Sequence, residues 1–435
     1  MRKGQTRRPA VIDAGDRRAL TEFLTKGGQL LLPLVELLER SQCAIDEVID
    51  VVGRAAIEAV LELSAQQVAG AKIKGQWAHR DVYWYGRQQG EVVLSDRKLK
   101  VIKPRLRRRG VGAGGEVEIP AYARMREGGL GEHVVRLLMR GVSTRNYAPA
   151  LRKMADTAGV SKSQVSREWI EASSTELEAL QTRRFEELDI LIVYLDGMQF
   201  GDHHVLAAVG VAGTGEKHVL GVAPGSSENY HVAKDLLCGI IERGLDPRQL
   251  RLFVIDGSKA LRKAINELFG SPNPVQRCRA HKLRNVTERL PREKRADVAK
   301  VMRAAYRLEP EEGMKKLETQ AEWLERDGHA DAASSLREGM KETFTVNRLG
   351  LPSTLTRCLC TTNVIENPHG GVRMRTRRVT RWQDSTMAVR WSATALLECE
   401  KNFRRIMGHR DLWILAQALK TLAEEHGLAV QERAA

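Results

Sequence analysis

The 435-residue chain has few cysteines, no long apolar run and a shortfall of acid. Its six cysteines, at positions 43, 238, 278, 358, 360 and 399, are too sparse for a disulfide framework and suit a reducing compartment. The longest apolar run, around Ile190 to Leu195, is far shorter than the ~20 residues a membrane span requires. Behind the basic opening residues 1–18 there is no apolar segment, so we expect no secretory leader, no membrane partner and a cytoplasmic location. No internal repeat or low-complexity tract is visible. With 55 Asp and Glu against 70 Lys and Arg, the formal net charge is +15, which favours a polyanionic partner, most simply nucleic acid. At this length and 42% hydrophobic content the chain has material for two to four domains, which excludes a peptide hormone, a disulfide knot or a disordered tail.

What is present changes along the chain. Residues 1–75 form an N-terminal region of helical pattern, with Leu30, Leu31, Leu34, Leu37 and Leu38 and then Ile45, Val48, Ile49 and Val52 at helical spacing. Residues 76–125 read as a small basic β element, with Gly90 where a hairpin would turn and a glycine-rich loop at 110–115. Arg97 to Arg109 hold eight Lys or Arg and no acid, alternating with Leu99, Val101 and Leu106. One strand face would pack and the other would present Arg105, Arg107, Arg108 and Arg109 to phosphates, or simply serve as a charged edge. Trp77, Tyr83, Trp84 and Tyr85 read as core of this element.

Residues 126–182 return to helical patterning and contain a candidate helix-turn-helix. Ala155, Gly159 and Val165, at offsets 0, 4 and 10, supply the small contact residue, the turn and the inward apolar residue, and Ser161 the cap of a second helix. That helix would carry Lys162, Gln164 and Arg167 toward a DNA groove; an ordinary helical hairpin is the plainer reading.

Residues 183–284 alternate strand and helix signals. A buried strand ends at Asp196, a hairpin follows, then a helix from Val232 to Arg243, a second buried strand ending at Asp256 and a helix opening with Ser258. This predicts a mixed α/β sheet with both carboxylates at strand ends, where open sheets place their sites. Residues 285–357 are polar and helical throughout, an all-helical insertion. Residues 358–435 return to the core and end in helices. Glu366 follows Thr361-Thr362-Asn363, a plausible helix start, and precedes Arg373, Arg375, Arg377, Arg378 and Arg381 with no acid among them. A helical path would put Arg373 and Arg377 on one face with Glu366.

Two Asp at strand ends with a third carboxylate is what two-metal phosphoryl chemistry asks for, because hard Mg²⁺ prefers oxygen ligands. Two ions ~3.5–4 Å apart activate a water or 3′-hydroxyl and stabilise the leaving oxygen. A basic row beside Glu366 lies where a phosphodiester backbone would run. Asp at a strand end also serves turn chemistry alone. Cys278, His281, Cys358 and Cys360 could make a tetrahedral zinc set, although the Cys358-Leu359-Cys360 spacing is short for one.

Taken in order, Tyr194-Leu195-Asp196-Gly197, Val254 to Arg262 around Asp256, Cys278-Arg279-Ala280-His281 and Thr361 to Asn367 around Glu366 resemble the Mutator-type transposases of bacterial insertion sequences. These are DDE recombinases with an RNase H-like catalytic fold, and the resemblance spans about residues 75–400. It implies that Asp196, Asp256 and Glu366 bind two Mg²⁺ or Mn²⁺ ions. The family's Cys-x-x-His motif falls on Cys278 and His281, which places His281 near the scissile region, unless the pair only packs beneath the second carboxylate. The implied protein binds double-stranded DNA, namely terminal inverted repeats and target DNA, at the bacterial nucleoid. It cleaves and joins strands, and works as a homodimer or higher oligomer. The rival expectations are a catalytically silent or domesticated DNA-binding relative and a structure-selective nuclease on the same fold. Pro368-His369-Gly370-Gly371 departs from the charged helix that many relatives have after the Glu, with Pro368 tolerable in a first turn.

Overall fold

The computed structural model describes residues 48–72, 81–93, 98–111, 114–126, 130–140, 157–158 and 162–428. The chain divides into two compact units, residues 1–172 and 173–435.

In the first unit, helix α1 (Val48–Ala69) precedes strands β1 (Val82–Val93), β2 (Lys98–Arg108) and β3 (Glu116–Val117). Helices α2 (Pro120–Arg126) and α3 (Leu130–Met139) follow, then the short strand β4 (Thr157–Ala158) and helix α4 (Lys162–Thr182), which runs across the division. β2 is the centre of this sheet, antiparallel to β1, β3 and β4. Ile57, Leu61 and Ala65 of α1 recur at helical spacing and pack on Val92, Leu99, Val101 and Leu106.

Gly90, expected at a hairpin turn, instead pairs with Val101 in the middle of β1. Its lack of a side chain serves packing: a Cβ there would lie 2.8 Å from the Tyr122 Oη of α2. The register slips between Trp84 and Gly86, a bulge that releases Tyr85 from the alternation. Tyr85 is therefore exposed, contrary to the expectation of a core residue, and Arg107 lies over its ring at 3.7 Å.

The second unit is built on a five-stranded sheet. Its strands are β5 (Ile190–Phe200), β6 (His203–Ala212), β7 (Lys217–Pro224), β8 (Leu252–Ile255) and β9 (Val275–Arg277), in the order β7-β6-β5-β8-β9. β5, β6 and β7 are antiparallel neighbours, whereas β8 and β9 run parallel to β5. The short strand β9 carried too brief an apolar signal to be expected from sequence. Strands this thoroughly apolar are buried on both faces. Against one face pack α5 (Tyr230–Glu242) and α6 (Lys259–Phe269), through Leu236, Leu237, Ile240, Leu261, Ala264 and Ile265.

Between β9 and the last part of the sheet domain lie only helices: α7 (Arg279–Thr287), α8 (Arg292–Ala305), α9 (Pro310–Arg326), α10 (Ala330–Arg337), a 3₁₀ turn at Lys341–Phe344, α11 (Thr345–Arg348) and α12 (Ser353–Leu359). They close their own core around Met302, Leu317, Leu324, Leu336 and Phe344. The chain then forms α13 (Asn363–Thr376), which meets β5, α14 (Ser385–Glu400), which packs on β6 and β7, and α15 (Leu412–Glu425). Among the described residues, no helix is long and apolar enough to cross a membrane.

Candidate functional site

β5 alternates, and the alternation decides where Asp196 points. Val193 and Leu195 belong to the core beneath α5 and α6, so Tyr194, Asp196 and Met198 face the other side, toward α13. Asp196 is buried and paired with Ala207, four residues before β5 ends at Phe200. It is therefore mid-strand; the expected strand end holds only for the parallel ladder. That ladder closes with Leu195 opposite Ile255, so the next residues, Asp196 and Asp256, emerge at one level on adjacent strands.

Asp256 is held by the turn that follows it. Ser258 N donates to its Oδ1 at 2.9 Å and Ser227 Oγ to its Oδ2 at 3.4 Å. Ser258 Oγ caps α6 by accepting from Leu261 N and donates to Ser227 O, so cap and carboxylate are built together. Gly257 turns the chain at φ +110°, and a Cβ there would come within 2.2 Å of Arg277 Nε.

Cys278 continues the third parallel strand, its N–H donating to Ile255 O at 2.8 Å. Helix α7 starts immediately after it and brings His281 round in its first turn. From the other direction Thr362 stands at the N-terminal boundary of α13, its side chain making no capping bond, and Glu366 stands in that helix's first turn. Thr362 Oγ1 is 2.5 Å from Glu366 Oε1, 3.2 Å from Cys278 Sγ and 3.3 Å from His281 Nδ1, and Thr362 N also donates to Cys278 Sγ. Hydrogen bonding to the Cys278 sulfur raises His281 to about 9, against the opposing pull of burial, with Asp196 and Glu366 adding to the rise. Burial pushes the Cys278 thiol up, yet the hydrogen bonds from His281 and Thr362 outweigh it and leave the thiol lowered. Both shifts have one sense: each stabilises the charged form of its own group, the sulfur as thiolate and the ring as imidazolium.

Among the described residues, Cys278, His281 and Glu366 bring their ligating atoms within 4.8 Å of one another, a group able to hold a metal ion. The cysteines at 358 and 360, joined to them in the zinc expectation, are not part of that group. The carboxylates also fit hard cations. Each oxygen of Asp256 accepts a single hydrogen bond and keeps a second lone-pair position, and Glu366 spends one oxygen on Thr362.

The Pro368-His369-Gly370-Gly371 stretch does not interrupt α13. Pro368 is the sixth residue of the helix, in its second turn and beyond the first turn where proline is tolerated. His369 is 1% exposed, and its Nδ1 is 3.1 Å from Asp196 Oδ2. In the sequence this stretch reads only as a departure from the family pattern, with no role for His369. The Glu-x-x-His spacing on one helix face was the available signal.

The basic residues are distributed more widely. Arg373, Arg377 and Arg378 are exposed and Arg375 is half-buried, its Nη1 donating to Gly371 O. α13 ends at Thr376 with Arg377 as its cap, so the helical face shared by Glu366, Arg373 and Arg377 stops one residue short of the last. In the first unit Arg105 pairs with Glu116 at 2.9 Å and Arg108 approaches Asp81 at 3.9 Å, so the expected free cation row is partly neutralised. Arg109 stands at the turn after β2, its N–H donating to Asp81 O. In the segment expected to form a helix-turn-helix, Thr157–Ala158 is instead a short strand paired with β2, while Val165 is buried and Arg167 exposed on α4. Ala155, Gly159, Ser161 and the side chains of Lys162 and Gln164 lie outside the described residues, as do Trp77, Cys43 and the leucine stripe from Leu30 to Ile45.

Fold and site together define a mixed-sheet α/β protein with Asp196 and Asp256 at one level on adjacent parallel strands and Glu366 grouped with Cys278 and His281, a group that does not include the two aspartates. Residues 29–406 match the family described as "Transposase, Mutator family", and the chain belongs to that family. It is similar to the transposase for insertion sequence element IS905 of Lactococcus lactis, 28% identical over 198 residues, or 44% of this chain and 49% of that protein. It is also similar to the transposase for element ISRM5 of Rhizobium meliloti, 30% identical over 203 residues, or 46% and 49% of the two chains. A third relative is the transposase for element IS406 of Burkholderia multivorans, 27% identical over 276 residues, or 61% and 69%. The chain spans about half the length of the first two relatives.

Proposed function

We propose that this protein is the DNA transposase of an insertion sequence, binding the element's terminal inverted repeats and cutting and joining DNA strands through Asp196, Asp256 and Glu366. The observation that carries the reading is the common level of Asp196 and Asp256 on adjacent parallel strands, with Glu366 delivered to the same His281 that senses Asp196. The sheet order, with three antiparallel strands followed by two parallel to the first, supports an RNase H-like core formed by residues 183–284 and 358–435 around the helical insertion at 285–357. Residues 1–75, 76–125 and 126–182 then form the DNA-binding regions.

Bound Mg²⁺ or Mn²⁺ ions at the three carboxylates would activate a water or 3′-hydroxyl and stabilise the leaving oxygen. The chain's own residues do the rest. Ser258 N and Ser227 Oγ hold Asp256 in one orientation, and Thr362 does the same for Glu366. A cationic His281 donates a hydrogen bond to a non-bridging phosphate oxygen. Arg373, Arg375, Arg377 and Arg378 hold the backbone phosphates of the cleaved strand, while Arg105, Arg107, Arg108 and Arg109, with Lys162, Gln164 and Arg167, bind the element's end. Two ends must be paired, so the working species is at least a homodimer, acting on nucleoid DNA in the cytoplasm.

The test is to incubate the protein with end-sequence DNA and Mg²⁺ and to resolve the products. Nicked ends and joined strands, both lost with a chelator, are expected. Binding without cleavage would identify a catalytically silent DNA-binding relative, and cleavage without joining a nuclease.

A further inference from the structure

His369 is almost fully buried, and neither ring nitrogen has an aligned hydrogen-bond partner, although Nδ1 lies 3.1 Å from Asp196 Oδ2. A buried polar ring is costly unless something uses it. Its place in the helix is also constrained. Glu366 and His369 are three residues apart on α13 and so share one helix face. Gly371 lets that helix lie close on α14, since a Cβ there would come within 2.7 Å of Cys399 Sγ. The helix is thereby clamped between α14 and β5, with Glu366 at one end of the shared face and His369 against the strand that bears Asp196.

We propose that His369 is a positioning residue for Asp196: a small rotation aligns its Nδ1–H on the Oδ2 that already lies 3.1 Å away, and the bond so made holds the carboxylate in the orientation in which it takes a divalent cation. The same ring links the helix of Glu366 to the strand of Asp196, so that two ligands from distant parts of the chain keep a fixed separation. The proposal rests on the reading of Asp196 as a metal ligand. Groups that hydrogen-bond a metal ligand from behind fix its geometry, and their loss costs about ten- to a hundredfold in metal affinity.

The experiment titrates Mn²⁺ into the full-length protein without DNA, by calorimetry and by electron paramagnetic resonance. The variants are His369→Leu, His369→Asn, His369→Gln and Asp196→Asn, and the melting temperature of each metal-free protein is recorded alongside. His369→Leu is expected to weaken Mn²⁺ binding about tenfold or more. His369→Asn keeps a donor near the Nδ1 position and is expected to recover most of the affinity. His369→Gln carries its amide to the Nε2 position, so it is expected to bind weakly too and serves if the leucine variant does not fold. Wild-type affinity in His369→Leu or His369→Gln, with weak binding in Asp196→Asn, would overturn the positioning role and leave Asp196 as a ligand. Equal weakening in the asparagine and glutamine variants would overturn it in favour of packing. Wild-type affinity in Asp196→Asn would remove the reading of Asp196 on which the proposal stands.

Discussion

Thr362 donates its hydroxyl proton to Glu366 Oε1 at 2.5 Å, four residues along the same helix. A hydroxyl has one proton to give, so the longer contacts to Cys278 and His281 are served by other donors: Thr362 N to the sulfur and the His281 imidazolium to either neighbour. One buried threonine thus orients the third carboxylate and joins it to the histidine. Thr362→Val keeps the volume and removes the donor. We expect a stability loss of about 1–3 kcal/mol in denaturant unfolding and slower strand cleavage with end-DNA binding retained. Unchanged cleavage would show that Glu366 does not depend on this bond.

Asp196→Asn, Asp256→Asn and Glu366→Gln each remove ligand charge while preserving shape. Each is expected to lower cleavage by roughly a thousandfold or more, since metal activation supplies several kcal/mol, while filter-binding affinity for end DNA persists. Cleavage at the wild-type rate in any one of them would remove that residue from the site.

Gly257 holds φ +110° immediately after Asp256, with Arg277 packed where a side chain would go. Gly257→Ala is expected to lose roughly 1–3 kcal/mol from backbone strain, and more from the displaced guanidinium, as read by thermal unfolding. Because Ser258 orients Asp256 across this turn, cleavage should fall with it. A variant as stable as wild type would mean that the turn relaxes freely.

Arg373→Ala combined with Arg377→Ala tests whether the exposed arginines after Glu366 bind backbone. Affinity should fall equally for end and unrelated DNA, and the slope of log K against log salt should become shallower by up to about two. An unchanged slope, or a loss confined to one sequence, would assign these side chains another role.

Lys282 supplies a pH signature for the helical insertion. It is fully buried, its ammonium donating to Ser335 O and Glu338 O. Burial, reinforced by Arg277 and Arg289 and opposed by Glu338 and Glu342, lowers it to about 7 from 10.5. Between those values the unfolded chain binds more protons than the folded one, so stability rises with pH across that window, and the cost of the buried charge is complete below it. Lys282→Met should therefore gain stability relative to wild type at pH 6 compared with pH 9. Parallel curves for the two proteins would show that the lysine does not titrate there.

The sequence alone determined the elements whose signals are local. The apolar runs of β5 to β8, the Ser258 cap of α6, the helix start after Thr361-Thr362 and the purely helical pattern of the insertion are all set by neighbours a few residues away. Asp196, Asp256 and Glu366 were legible as candidates for the same reason, whereas Cys278 and His281 entered through the resemblance to the family's Cys-x-x-His motif. What tertiary structure decided depends on pairing between distant segments. The parallel register sets Asp196 level with Asp256, although β5 continues past it. The packing of α13 on β5 turns a Pro-His-Gly-Gly stretch that reads as a break into a helical turn carrying a buried histidine to Asp196. A bulge one residue long exposes Tyr85, and Glu116 reaches Arg105 from another strand. Periodicity reports which face of an element is apolar, whereas register and interhelical approach are set by shape complementarity between elements far apart in the chain.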